Sequence, residues 1–174
     1  MPRLSFPTLP AAHLALRVLV FLNWVYAGIV LAILIGLIAS QRWTMTALGI
    51  PPSAQTPRLA TGLAAIALLG LLAVPLNLGV LKRLLGMVQT VSAGDPFVAA
   101  NAYRLQSIAW FLLAQQVLSV IVGFIGKAVS TPAHTLHLSA GFSPGAWLAV
   151  IMTFVLARVF ADGTLMREDL EGTV

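Results

Sequence analysis

The chain contains no cysteine, which excludes disulfides, thiolate metal sites and thiol catalysis together. Charge is also scarce: 9% of the 174 residues are Asp, Glu, Lys or Arg, against roughly a quarter in a soluble domain. With 59% hydrophobic residues, that balance excludes an ordinary soluble fold. Acids are the scarcest group, 5 against 10 basic residues. The net charge of +5 does not point to nucleic acid, because the basic residues are scattered at the ends of apolar runs and form no stripe. No direct nucleic-acid contact is expected.

What the chain does have is long charge-free runs. Residues 18–40 carry no charge and as a helix would reach roughly 34 Å, enough to cross a hydrocarbon core. The run exceeds the apolar core of a cleaved signal peptide and reads as an anchor. Four spans are expected, near residues 14–40, 59–81, 105–126 and 144–160. The expected fold is an all-α integral membrane protein with four transmembrane helices. The lead before residue 14, with Pro2, Pro7 and Pro10, is expected to be disordered. The connector 41–58, with Gly49, Pro51, Pro52 and Pro57, is expected to be non-helical. Pro75 predicts a kink in the second span, with Asn77 near the freed carbonyls.

Small residues recur at every fourth position in Gly28, Ala32, Gly36 and Ser40, and again in Gly145, Ala149, Thr153, Ala157 and Ala161. Such grooves predict that the first and fourth spans pack closely, and they leave a homo-oligomer open. Gln115, Ser119 and Gly123, with Gln116 beside them, make a polar stripe expected to face the bundle interior.

The interval 82–104 between the second and third spans is expected to be a helical hairpin standing out of the bilayer. Leu81, Leu84, Leu85, Val88 and Val91 continue the preceding helix as an amphipathic extension. Gly94 supplies the turn, Asp95 is placed as an N-cap, and Pro96 suits the first helical position. Val98, Ala102 and Leu105 face back, with Lys82, Arg83 and Arg104 at headgroup level. In the tail, 161–174, Glu168, Asp169 and Glu171 form an acidic patch, and Asp162 stands one turn from Arg158 to pair with it.

With four spans, both ends and the hairpin share one side. That side holds Arg3, Arg17, Lys82, Arg83, Arg104, Arg158 and Arg167, and the other holds Arg42, Arg58 and Lys127. The positive-inside rule then predicts an N-in, C-in topology with a cytoplasmic hairpin. Every acid falls on that cytoplasmic side.

This sorting weighs against catalysis. His134 and His137 have a spacing that would aim both at one metal, but their outer loop has no Asp, Glu or Cys as a further ligand. No metal, cofactor or enzymatic activity is expected. No ionisable group sits mid-span and no inverted repeat is present, which argues against an ion-coupled carrier. Asn23, Asn77, Gln115, Gln116 and Thr153 remain as a lining for the alternative of a small transporter or channel component.

The stretch GDPFVAANAYRLQSIAW, the four spans around it and the closing VFADGTLMREDLEGTV resemble a family of small bacterial membrane proteins designated domain of unknown function 2975. The resemblance implies a multi-pass protein of the bacterial cytoplasmic membrane, often encoded beside a small helix-turn-helix regulator. It implies no catalytic residue. The matching positions Asp95, Pro96, Phe97, Asn101, Arg104, Gly163, Leu165, Glu168 and Asp169 are those expected to have interaction or structural roles. Together with Glu171 they suggest a non-enzymatic protein that binds a soluble regulator through hairpin and tail. The alternatives are the transporter component and an assembly subunit of a larger membrane complex.

Overall fold

The computed structural model describes residues 8–50, 56–130 and 140–171. Among them the structure is all helical, with α1 (Thr8–Ala39), α2 (Gln41–Ala47), α3 (Thr56–Ser92), α4 (Ala99–Val129) and α5 (Pro144–Glu171). Four of these helices are long and apolar enough to cross a membrane, with mean hydropathies of 2.5, 2.3, 2.1 and 1.8 in chain order. Their apolar side chains point largely outward: Phe21 is 67% exposed, Ile38 79% and Phe124 69%. Outward apolar surface on this scale requires hydrocarbon as solvent, and the chain is a multi-pass membrane protein in contact with lipid.

Two helices occupy positions where a loop is expected. α1 begins at Thr8, because Pro10 falls within a first turn that needs no amide from it. α2 occupies the start of the 41–58 connector, since the helix-breaking residues there lie after Trp43 and not among Gln41–Ala47. Gly49, at φ +78°, ends α2: its amide reaches Thr46 O and that of Ile50 reaches Met45 O, the paired bonds of a left-handed helix stop. Pro57 falls in the first turn of α3, and that helix runs through Pro75 to Ser92.

The contacts divide the chain into two compact units. Asn23–Leu76 with Ala114–Ser143 hold one core, in which Met45 of α2 is buried with Leu37, Leu59, Ala60 and Val129. Gly36 sits against α2: a Cβ there would lie 2.8 Å from Thr44 Oγ1. Gly62 is tighter still: a Cβ there would overlap the Val129 side chain. Arg58 donates to Ala128 O at 2.7 Å, placing a cation on the carbonyl end of α4, where the helix dipole favours it. Gly28 and Gly145, by contrast, have nothing within 4 Å of an added Cβ. Of the glycines in the two four-spaced grooves, Gly36 makes a close approach, and it is to α2.

The second unit takes Met1–Leu22, Asn77–Leu113 and Pro144–Val174. It contains the hairpin and all of α5, whose 28 residues extend roughly 42 Å at the helical rise. The helix continues beyond Phe160 to Glu171, so the first part of the tail is ordered helix.

Candidate functional site

The hairpin turn is built by backbone chemistry. Gly94 adopts φ +89°, its amide bonds Val91 O at 3.0 Å and the Asp95 amide bonds Thr90 O at 3.1 Å. This pair of bonds satisfies the last carbonyls of α3, and the positive φ is what requires glycine. Pro96, without an amide, cannot prolong the helix. α4 starts at Ala99, three residues after Pro96, the first helical position in the capping pattern. The Asp95 carboxylate is used elsewhere.

A polar knot fixes the extended segment 95–98. Asn101 is 0% exposed, and its amide donates to Thr90 Oγ1 at 2.8 Å and to Pro96 O at 2.9 Å. Its carbonyl oxygen accepts from Arg104 Nη1 at 2.8 Å. An unsatisfied buried amide would cost about 1–3 kcal/mol; here both donors and the acceptor are used. Arg104 also reaches Gly86 O at 3.3 Å. It fits because Gly86 has no side chain: a Cβ there would stand 3.1 Å from Arg104 Nε. Arg104 therefore turns its guanidinium inward between α3 and α4. Arg83 likewise turns inward, donating to Gly79 O at 3.1 Å with its guanidinium 4.5 Å above the Phe111 ring. Of the three cations expected at headgroup level, Lys82 alone is exposed.

The hairpin tip docks on the tail. Asp95 forms an ion pair with Arg167, and Phe97 stacks on Phe160 with ring centroids 5.3 Å apart and planes at 28°. Gly163 lies under the same ring, where a Cβ would be 3.4 Å from Phe97 Cδ1. Phe160, Gly163 and Arg167 are three and four residues apart and share one helix face. The two motifs that carry the family resemblance are thus in contact. Apolar side chains stay exposed here: Phe97 itself is 45% exposed, and Met166, beside Arg167 in the chain, 63%, whereas Leu165 lines a groove between α4 and α5.

The remaining predicted site residues fall elsewhere. Asn101, expected to have an interaction or structural role, is fully buried and holds the hairpin together. Asp169 is exposed; Glu168 and Glu171 lie in α5 with side chains outside the described set. Asn23 is buried and donates to Val74 O at 3.3 Å, next to Pro75. Gln116 donates to Gly141 O at 3.5 Å, while Ser119 Oγ accepts from the Gly141 amide at 3.2 Å. A Cβ on Gly123 would meet Gly141 Cα at 2.7 Å, so Gln116, Ser119 and Gly123 all meet the backbone at Gly141. Gln115 and Asn77 are half-buried. Thr153 bonds Ala149 O within its own helix at 2.7 Å. His134 and His137 lie outside the described residues.

The sequence reading overlooked Thr90 and Phe160 and gave Arg167 only a topological role. The three-and-four spacing of Phe160, Gly163 and Arg167 is the signal for their shared face. The pairing of Arg158 with Asp162 is present, at 3.1 Å. No family model, curated protein or solved structure matches the chain.

Proposed function

We propose that this protein is a non-enzymatic membrane adaptor whose hairpin tip and tail together bind a small soluble partner. The observation that carries the reading is the joining of Asp95 to Arg167 and of Phe97 to Phe160. These contacts turn two separate stretches of sequence into one surface beyond the apolar runs. Exposed Phe97 and Met166 offer apolar contact there, and the sequence that follows adds acids at 168, 169 and 171. Such a mixture suits a partner with a basic rim around an apolar patch.

The orientation we assign is N-in and C-in, from the sorting of basic residues, which places this surface in the cytoplasm of a bacterial cell. The resemblance to domain of unknown function 2975 makes a helix-turn-helix regulator the partner of choice. Holding such a regulator at the membrane needs only a difference in affinity between two states of the hairpin and tail. Purifying the full chain from native membranes in mild detergent, beside a Glu168→Lys, Asp169→Lys, Glu171→Lys variant, tests this. Retention of a DNA-binding protein by the first and its loss from the second is expected; equal retention removes the tail from the mechanism.

An assembly subunit is the second reading, supported by the open helix surface at Gly28 and Gly145. A Gly28→Leu, Gly145→Leu variant distinguishes it, since an assembly held there would shrink. A transporter lining has less support, because Asn23 and Gln116 already have partners inside the protein.

A further inference from the structure

A groove between α4 and α5 lies on a different side of α5 from the contact between hairpin tip and tail, with Leu165 in its lining. It encloses about 480 Å³, with Ala102, Tyr103, Gln106, Phe154, Ala157 and Arg158 along it, within the roughly 300–1,000 Å³ of small-molecule sites. It lies where both helices leave their charge-free runs, at Arg104 and Arg158. That is headgroup depth whichever end of the protein faces the cytoplasm.

The polar groups here differ from those of the knot. Arg83, Asn101 and Arg104 bond within the protein, whereas Arg158 uses only Nε, on Asp162 at 3.1 Å. Among the described residues its two Nη groups, the Tyr103 hydroxyl and the Gln106 amide make no hydrogen bond. The Arg158 and Asp162 side chains are 79% and 46% exposed, so a cation and an anion stand side by side at the rim of an apolar trough.

We propose that this groove binds one phospholipid with a zwitterionic headgroup. The phosphodiester takes charge-assisted hydrogen bonds from the Nη edge of Arg158, with Tyr103 and Gln106 donating to its remaining or ester oxygens. The ammonium of the same headgroup lies against Asp162. One acyl chain covers Ala102 and Ala157 and runs past Phe154 onto Trp110, which packs edge-on against Phe154 at 5.3 Å. A headgroup with net negative charge fits less well, because Asp162 repels it.

Native mass spectrometry of the delipidated full chain, titrated separately with phosphatidylethanolamine and phosphatidylglycerol, tests the proposal. One phosphatidylethanolamine per chain is expected, held several-fold more tightly than phosphatidylglycerol. Arg158→Gln should weaken it roughly tenfold, the loss of one charge-assisted bond, and Tyr103→Phe with Gln106→Leu should weaken it less. Asp162→Asn should erase the preference between the two lipids, and Arg17→Gln, which removes a cation of the same unit, should change neither. Unchanged retention in Arg158→Gln, or a wild-type preference for phosphatidylglycerol, would overturn it.

Discussion

Phe97 at the hairpin tip stacks on Phe160 of α5 with 5.3 Å between ring centroids. The Asp95–Arg167 ion pair lies on the same tip and the same helix face. The pair is close to half exposed on both sides, so its net worth is roughly 0–1 kcal/mol. The stacked rings add about 0.5–1.5 kcal/mol beyond their buried area. A latch of this size is closed at rest yet within reach of a modest signal.

The first prediction uses the absence of cysteine. An Asp95→Cys, Arg167→Cys chain should be cross-linked efficiently by a short bismaleimide in native membranes. Asp95→Cys with Arg158→Cys should react poorly, since Arg158 lies roughly 13 Å further back along the helix. Equal yields from the two pairs would mean that the tip does not rest on Arg167.

Phe97→Ala should open the latch without unfolding the protein. Amide hydrogen exchange across residues 163–167 should then quicken by roughly tenfold, the worth of one aromatic pair, while exchange in residues 105–120 is unchanged. Unaltered exchange near Gly163 would show that the stack does not hold the tail.

Asn101→Leu removes the centre of the knot and leaves Pro96 O, Thr90 and Arg104 without their bonds. Stability in detergent should fall by about 2–4 kcal/mol, with Thr90→Ala costing nearer 1 kcal/mol. Asn101→Asp should not rescue, because a carboxylate cannot donate to Pro96 O. Thermal unfolding followed by circular dichroism reads all three. A near-neutral Asn101→Leu would place the hairpin's stability elsewhere.

The four long helices were legible because the bilayer demands long charge-free runs, which leave a plain trace in the sequence. The role of Gly94 was equally legible, since a positive φ after a helix has few other solutions. The fate of Asp95 was not. An N-cap and an ion pair both call for an acid, and choosing between them needs Arg167, a residue distant in the chain. The inward turn of Arg104 was hidden for a similar reason: it depends on Gly86, 18 residues away, whose missing side chain admits the guanidinium between helices. Glycine spacing marks a face without saying what meets it: Gly36 meets α2, and Gly62, outside both repeats, meets Val129.

That lesson yields a packing prediction. Gly62→Ala should destabilise by about 1–3 kcal/mol through overlap with Val129, and Val129→Ala in the same chain should recover much of the loss. Gly28→Ala and Gly145→Ala, which face open space, should leave monomer stability within about 0.5 kcal/mol of wild type. Thermal melts of the four variants give the comparison, and a costly Gly28→Ala would reveal a neighbour at that face.

The most direct test of the adaptor reading is retention of the soluble partner by the full chain, by the Phe97→Ala chain and by the charge-reversed tail. The account predicts one DNA-binding protein held by the full chain and lost from both variants, because neither motif alone forms the surface. Equal retention by all three, or no soluble protein held by the full chain, would contradict it.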